Sequence, residues 1–392
     1  MCYAIPGKVT RINKKIISVD YFGEERKARN DFYRLKKGDY VYAQGGFIVS
    51  RISEKEAKAT LDTWQELFFK LKERDLRFSE KSGNLRKAAN RLRQKKSGNS
   101  CCVHGIIEFS NYCRNDCLYC GLRHSNCSLT RYRMMPGEIV DLANFSIDKL
   151  KFKALVLQSG EDTWYTEEKL VKVVKGIFKR NPALLILSIG ERNFKIYERL
   201  YRAGARAALL RFETSNEALY RKMRPGHSLK ERLELIKKLR KLGYLIMTGF
   251  LIGLPGENNK DLLNDIKLTA SLKTDMFSFG PFIPHPKTPL GNEPLPSLDK
   301  SLDTIARARL MNPEAKILVT TALEALGKNK GLKLGLLSGG NSLMVNVTPD
   351  KYKRFYDLYP DHSGVGLDLK KKIDATLKLL YSLGRAPVDL GL

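Results

Sequence analysis

Three cysteines stand close together in the first third of the chain, at Cys113, Cys117 and Cys120. Their C-x3-C-x2-C spacing places three thiolates on one tight loop. Three such thiolates can bind three irons of a four-iron cluster and leave the fourth iron open. An open metal position favours catalysis, because a structural site closes its coordination sphere with protein ligands. The spacing therefore predicts a catalytic iron–sulfur cluster.

A structural zinc ion is the alternative interpretation of the same loop. Cys127 or His124 would then supply the fourth ligand. Zinc sites of this kind usually contain two CxxC-type pairs, and the sequence has no second pair. We therefore favour the iron–sulfur interpretation.

The elements that must position this loop are buried strands alternating with helices. From Ile106 onward, eight apolar segments are separated mostly by amphipathic stretches such as Glu231–Leu242. Eight such units predict an α/β protein with a parallel (βα)8 TIM-type barrel, whose chemistry lies at the carboxyl ends of the strands. The cysteine loop directly follows the first segment. The predicted strands are Ile106–Phe109, Ala154–Gln158, Leu184–Ser188, Ala207–Arg211, Leu245–Phe250, Met276–Gly280, Ile317–Thr321 and Leu343–Val345.

A small β-barrel is predicted before the large one. Residues 1–53 are rich in valine, isoleucine and tyrosine and are interrupted by glycines. Ser53, with Glu56 three residues later, predicts the start of a helix that runs to about Leu76. We expect residues 1–75 to form an OB-like barrel plus helix, 76–100 a basic linker or helix, and 101–392 the large barrel. The predicted small-barrel strands are Lys8–Ile12, Ile16–Phe22, Asp39–Ala43 and Gly46–Ile52.

The composition limits the class of protein. The formal net charge is +28, which suits either nucleic-acid binding or a lysine-rich surface. The excess is dispersed and no nucleic-acid motif accompanies it, so we expect no nucleic-acid partner. Residues 81–96 hold seven basic side chains and no acidic one, which fits either an acidic partner or a solvated linker helix. No apolar run is long enough for a membrane, and no signal peptide is evident, so we expect a cytoplasmic protein.

The sequence around the cysteines resembles the radical S-adenosylmethionine (SAM) superfamily. The run from Ile107 to Arg123, with Tyr119 before the last cysteine, is similar to one branch of it, the [FeFe]-hydrogenase maturase family HydE. The resemblance covers about residues 103–360. It implies one three-cysteine [4Fe-4S] cluster that reduces bound SAM to give a 5′-deoxyadenosyl radical. Other segments that carry it are Arg131-Tyr-Arg-Met, Leu157-Gln-Ser-Gly-Glu-Asp162, Leu210-Arg-Phe-Glu-Thr-Ser-Asn216, Gly253-Leu-Pro-Gly256, Gly280-Pro-Phe-Ile-Pro-His-Pro286, Thr320-Thr-Ala322 and Asn346-Val-Thr-Pro349.

Residues at two strand ends suit the groups that SAM presents. Ser159-Gly160-Glu161 follows the second predicted strand, where glycine lets a backbone carbonyl approach an ammonium closely. Arg211 and Glu213 follow the fourth, where the guanidinium suits a carboxylate and the glutamate suits ribose hydroxyls. The resemblance implies the same roles, and also implies SAM contacts for Tyr119 and Ile252. The alternative for Arg211 and Glu213 is an ion pair at the barrel top.

Substrate contacts are expected at the later strands. Thr320 and Thr321 lie in a segment that matches HydE and are candidates to bind a small anion or carboxylate. Tyr352, Tyr356 and Tyr359 are candidates for radical or proton transfer. The alternative for the tyrosines is that they close the end of the barrel.

The chain also departs from the HydE pattern. All seven cysteines lie at or before Cys127, so the accessory cluster that HydE proteins often carry near the carboxyl end should be absent. Leu251 stands where we expect methionine, which affects substrate contacts. We interpret Cys101, Cys102 and Cys127 as structural bystanders.

The first residues resemble a second family, HypC, a small chaperone of [NiFe]-hydrogenase maturation. Met1-Cys2-Tyr3-Ala4-Ile5-Pro6-Gly7-Lys8-Val9 carries the resemblance, which covers about residues 1–75. It implies that Cys2 helps to hold an iron centre with carbon monoxide and cyanide ligands. A terminal thiolate is a soft ligand for low-spin iron, which agrees. The alternative is an incidental buried thiol.

Together the two resemblances predict an enzyme of hydrogenase cofactor assembly. It would use its radical on an iron–carbonyl–cyanide–cysteine precursor of the diiron subcluster, with other maturation proteins as partners. The alternatives are a radical SAM enzyme acting on a free amino acid, like methylornithine synthase, and a non-catalytic metal scaffold. Sulfur insertion of the biotin-synthase type is disfavoured, because no later cysteine could bind a second cluster in the barrel.

Overall fold

Two β-barrels follow one another along the chain in the computed structural model, which describes residues 3–80, 84–180, 183–360 and 368–389. The fold predicted from the sequence, a small barrel before a TIM-type barrel, is confirmed. Cys2, the candidate iron ligand, lies outside the described residues.

The small barrel is a closed sheet of five strands in the order β1-β2-β3-β5-β4. The sequence analysis missed β3, because Ala28 is its only buried residue and charged side chains hide the apolar alternation. The strands are β1 (Gly7–Asn13), β2 (Ile16–Tyr21), β3 (Glu24–Arg29), β4 (Tyr40–Gln44) and β5 (Phe47–Ile52).

Two helices connect the barrels, α1 (Glu54–Glu80) and α2 (Leu85–Ser97). At the start of α1 the Glu56 N–H donates to Ser53 Oγ at 3.2 Å, which satisfies one of the helix's unpaired amides. Helix α2 contains most of the basic stretch and packs against the large barrel. Its Arg86 lies 2.7 Å from carboxylate oxygens of both Asp299 and Asp303.

The large barrel is a parallel sheet whose eight strands run in the order β14-β12-β10-β9-β8-β7-β6-β15. A bridge between Leu318 and Ser342 joins its two edges. Outside that path, β11 pairs with β13, and β16 pairs with β6. The strands are β6 (Ser100–Ser110), β7 (Ala154–Ser159), β8 (Leu184–Ser188), β9 (Ala207–Leu209), β10 (Leu245–Thr248), β11 (Leu251–Ile252), β12 (Met276–Phe277), β13 (Gly280–Pro281), β14 (Lys316–Ile317), β15 (Ser342–Asn346) and β16 (Ala386–Pro387).

Helices flank this sheet and bury their apolar faces against it. None of the helices among the described residues is both long and apolar enough to span a bilayer. They are α3 (Pro136–Asp148), α4 (Glu167–Arg180), α5 (Phe194–Ala203), α6 (Glu217–Met223), α7 (Leu229–Leu242), α8 (Asn259–Ser271), α9 (Leu298–Met311), α10 (Thr321–Leu326), α11 (Gly331–Leu337), α12 (Asp350–Lys353) and α13 (Leu369–Ser382).

The small barrel covers the amino-terminal ends of the large barrel's strands. Phe47 and Val49 of β5 belong to the same buried cluster as side chains of the barrel interior. At the preceding turn Gly45 has φ +58°, and a Cβ there would lie 2.5 Å from Leu184 Cδ2, at the start of β8. The small barrel therefore lies at the opposite end of the large barrel from the cysteine loop.

Candidate active site

The cysteine loop follows β6 and is held in place by an arginine. The Arg131 guanidinium donates to the backbone carbonyls of Asn111 at 2.6 Å, Leu122 at 3.0 Å and Arg123 at 2.6 Å. A planar fork of donors suits such a set of converging carbonyls. Arg131 therefore fixes the loop by bonds that span both sides of the cysteines.

A cavity of about 260 Å³ opens at the carboxyl ends of the strands, beside this loop. Cys113, Cys117 and Cys120 all line it. Burial raises the pKa of the Cys117 thiol to about 11, and burial also raises the pKa values of the other two. Buried thiols become ligands when a metal supplies the compensating charge. Three thiols converging on one cavity fit an iron–sulfur cluster.

Four SAM-contact candidates from the sequence line the same cavity beside the cysteines. These are Tyr119 and the run Ser159-Gly160-Glu161. The Glu161 N–H donates to Cys113 Sγ at 3.4 Å. The carboxyl end of β7 thus contacts the cysteine loop directly. This is expected, because the carboxyl ends of neighbouring parallel strands lie at the same end of the barrel.

Gly160 is where the backbone of β7 comes closest to the loop. A Cβ at Gly160 would lie 2.2 Å from the Tyr112 carbonyl oxygen and 2.9 Å from Cys113 Cβ.

We expect Gly160→Ala to displace the cysteine loop at a cost of about 1–3 kcal/mol, and to lower iron retention roughly tenfold. Iron and sulfide assays after anaerobic reconstitution measure this. Gly137→Ala is the matched control, because a Cβ at Gly137 meets nothing within 4 Å. Full iron content in Gly160→Ala would contradict the expected displacement.

Arg211 and Glu213 also line the cavity and form an ion pair with each other at 2.8 Å. Glu213 has φ +67°, a left-handed conformation that costs a non-glycine residue energy and is commonly found at functional sites. Arg211 Nε has no hydrogen-bond partner within the described part of the chain. The ion pair that was the alternative to SAM contacts is therefore present. Both residues nevertheless line the cavity, so the pair does not exclude a role in binding SAM.

Two further arginines of the cavity were missed by the sequence analysis. Arg224 and Arg232 both line it, and their side chains are 1% and 6% exposed. Glu161 lies within 4 Å of both, and Glu191 lies 2.9 Å from Arg232. Arg232 lies on the buried, otherwise apolar face of α7. An arginine at an apolar position of an amphipathic helix was therefore the only indication of its role that the sequence offered.

Among the tyrosine candidates, Tyr356 and Tyr359 line the cavity. Tyr359 also shares a 2.6 Å hydrogen bond with Thr321. Tyr352 has different surroundings: its hydroxyl donates to Glu138 at 2.8 Å, and its ring stacks on Tyr132 with centroids 5.1 Å apart.

Two other candidates are occupied by structural contacts. Thr320 caps α10 by accepting a hydrogen bond from the Leu323 N–H at 3.4 Å. Ile252 is 1% exposed in the main core cluster, and its carbonyl accepts from the Phe282 N–H at 2.8 Å. Leu251, which stands where methionine was expected, does line the cavity.

The donor set of the cavity fits both a cluster and SAM. The cysteine thiols suit iron, and the arginines suit a carboxylate. Arg224 Nε and Arg211 Nε are buried without a hydrogen-bond partner in the described ranges, which an anionic group would correct. When bound, the cluster and SAM would supply reductive cleavage of a carbon–sulfur bond; the chain supplies positioning and exclusion of water.

Comparison with known families agrees with this fold. Residues 107–269 match the radical SAM superfamily, and residues 1–64 match the HupF/HypC family. The large barrel is therefore that of a radical SAM enzyme.

Its relatives specify the family. The [FeFe] hydrogenase maturase subunit HydE of Thermotoga maritima is 40% identical over 77% of this chain and 86% of its own length. The chain belongs to the HydE family, and it carries a HupF/HypC-family domain before the barrel. The 3-methylornithine synthase of Methanosarcina acetivorans is 28% identical over 76% of this chain and 87% of its own.

Solved structures show the same fold. Methylornithine synthase (PylB) superimposes with a TM-score of 0.66 at 24% identity, covering 82% of this chain and 97% of that one. HydG, a maturase of the [FeFe]-hydrogenase, gives 0.63 at 20% identity over 85% and 77%. Membership of the radical SAM class implies a [4Fe-4S] cluster and SAM.

Proposed function

We propose that this enzyme uses a 5′-deoxyadenosyl radical to modify an iron–carbonyl–cyanide–cysteine precursor of the diiron subcluster of [FeFe]-hydrogenase. The 40% identity to a HydE subunit over most of the large barrel is the observation that carries the proposal. Its cytoplasmic partners would be other maturation proteins, with residues 101–392 as the catalytic unit.

The residues of the cavity have distinct proposed roles. Cys113, Cys117 and Cys120 hold the cluster. Ser159, Gly160 and Glu161 approach the SAM ammonium, while Arg211 takes its carboxylate and Glu213 its ribose. Arg224 and Arg232 supply the positive charge that keeps Glu161 in place, at 3.7 and 3.9 Å from its Oε1.

Substrate would lie on the side of the cavity lined by the later strands. We propose Tyr356 and Tyr359 as the residues that meet it, because both face the cavity. Thr321 would act through its bond to Tyr359 and orient that hydroxyl. Thr320 and Tyr352 would support this wall through the cap of α10 and the bond to Glu138.

The proposal is tested by SAM cleavage with two classes of substrate. We expect reconstituted enzyme with reductant and SAM to form 5′-deoxyadenosine faster when a mononuclear iron complex of cysteine, carbon monoxide and cyanide is added. Free α-amino acids should give no increase. Arg211→Ala should need about 10- to 100-fold more SAM, since a hydrogen bond to a charged group contributes about 1.5–3 kcal/mol. Arg221→Ala, which removes an exposed guanidinium on α6, is the control.

Each contrary outcome of that experiment selects a different function. Acceleration by a free amino acid alone would favour the alternative suggested by the 28% identical 3-methylornithine synthase. A sound cluster without SAM cleavage under any condition would favour a metal-carrying scaffold.

For the HupF/HypC-family domain we propose that Cys2 carries an iron unit. The domain covers the end of the large barrel opposite the cavity, so we propose that Cys2 exchanges iron with another maturation protein rather than with the cavity. Infrared bands of carbon monoxide and cyanide in anaerobically purified protein should disappear in Cys2→Ala. Bands that persist in Cys2→Ala would place the iron unit elsewhere.

A further inference from the structure

A second group of metal-ligating side chains lies far from the cysteine loop. Cys102, His104 and Asp389 each offer one ligand atom, and these three atoms lie within 4.8 Å of one another. All three residues are buried. We call them the lower triad, because they lie at the amino-terminal end of the large barrel, where the small barrel covers it.

The backbone fixes all three members of the lower triad. Cys102 and His104 are two residues apart on β6, so their side chains share the face of that strand that points into the barrel. Asp389 is brought there by the segment after β16. The Val388 N–H donates to the Cys101 carbonyl at 2.9 Å, and the Asp389 carbonyl accepts from the Lys153 N–H at 2.7 Å.

Polar atoms of His104 and Asp389 are incompletely paired. His104 Nε2 lies 2.9 Å from Asp389 Oδ2. His104 Nδ1 and Asp389 Oδ1 have no hydrogen-bond partner among residues 3–80, 84–180, 183–360 and 368–389, although the two side chains are only 2% and 1% exposed. A buried polar atom without a partner costs about 1–3 kcal/mol and is rare in native proteins. The arrangement therefore needs a further group.

A divalent transition-metal ion would supply a partner for one nitrogen of His104 and one oxygen of Asp389. A thiolate, a carboxylate and a neutral imidazole together carry two negative charges, which such an ion neutralises inside the buried site. Zinc and ferrous iron both accept these three donors. Bonds of about 2.0–2.3 Å in a tetrahedron separate the donors by about 3.3–3.8 Å, so the triad needs to close by only about 1 Å to bind.

We propose that the lower triad is a second metal site, which binds one zinc or ferrous ion independently of the cysteine loop. The eight-residue rise from Cys102 to Ser110 spans about 26 Å along β6, so the two sites cannot share a metal. The ion would link β6, the first strand of the large barrel, to the segment that follows β16. Phe47 of the small barrel packs in the same buried cluster as Cys102 and Val388, so the ion would also stabilise the joint between the two barrels.

The test is Co²⁺ binding by the full chain without its iron–sulfur cluster. In a variant with Cys113, Cys117 and Cys120 changed to serine, we expect one Co²⁺ per chain and a thiolate-to-cobalt charge-transfer band. Adding Cys102→Ser should remove the band and weaken binding by more than about 100-fold. Asp389→Asn, which keeps the side-chain shape, should weaken Co²⁺ binding as well. Cys101→Ser should leave Co²⁺ binding unchanged, because Cys101 belongs to the main core cluster between the strands and the helices and does not face the barrel interior.

Three results would overturn this proposal. One is no Co²⁺ bound by the triple variant, with circular dichroism confirming that it is folded. Another is Co²⁺ binding that survives both Cys102→Ser and Asp389→Asn. A third is binding lost in Cys2→Ala but kept in Cys102→Ser. The readout needs neither cluster nor SAM, so it does not depend on the function proposed for the cavity.

Discussion

Cys117→Ser should abolish SAM cleavage by this enzyme, with a loss of at least about 10³-fold in 5′-deoxyadenosine formation, because the cluster carries the redox chemistry. Cys117 lies between the other two ligands of the loop and lines the same cavity. A serine hydroxyl is a much weaker iron ligand than a thiolate, so we expect the reconstituted variant to hold far less than four irons per chain. Iron, sulfide and 5′-deoxyadenosine assays on the same sample measure both effects.

Cys127→Ser is the matched control for this substitution. Cys127 belongs to the same loop, but it is exposed and its Sγ contacts the Ser125 carbonyl at 3.6 Å. We expect its iron content and SAM cleavage to equal those of the wild type. If Cys127→Ser also loses the metal, or if the wild-type loop binds zinc stably, the loop is a four-ligand structural site and the cluster assignment is wrong.

The sequence was sufficient to predict the parts of the structure that depend on local pattern. Strands such as β7 and β8 are continuous apolar runs because both of their faces are buried, and such runs between amphipathic helices indicate a parallel barrel. The cysteine loop was recognisable because its chemistry depends on residue type at short spacing. The confirmed fold and family both rest on these local signals.

Features that depend on contacts distant in sequence were not predictable. Arg224 is a basic residue next to a helix end, and only the folded chain places it beside Glu161. The docking of the small barrel depends on the Gly45 turn and on Phe47, neither of which forms a pattern with the strand ends that they meet. Cys102 lies outside the HydE pattern, and Asp389, which the fold brings near it, lies far from it in sequence.

The largest expected effect on stability is that of Asp75→Asn. Asp75 lies in α1, and its carboxylate accepts two 2.7 Å hydrogen bonds from Arg93 of α2. Arg385, just before β16, also lies 3.0 Å from it. The side chains of all three are fully buried. One carboxylate therefore joins the helix of the small barrel, the connecting helix and the segment that leads to Asp389.

The cost of losing this carboxylate follows from the charges that remain. Burial and the neighbouring Arg93 lower the pKa of Arg385 to about 10, so its charge is already unfavourable and depends on Asp75. Removing one partner of a buried ion pair costs about 3–5 kcal/mol. We expect Asp75→Asn to lower the free energy of unfolding by about that amount. The difference in urea midpoints between variant and wild type measures it.

Glu73→Gln is the control for Asp75→Asn, because it removes an exposed carboxylate from the same helix. Glu73 pairs with Arg77 at the surface, where an ion pair contributes only about 0.3–0.5 kcal/mol. Trypsin should cleave Asp75→Asn faster than Glu73→Gln near the junction of α1 and α2, since loss of the carboxylate frees both helices there. Equal urea midpoints for the two variants would show that Asp75 does not hold the barrels together. In that case the contacts of Phe47 and Gly45 would have to account for the joint alone.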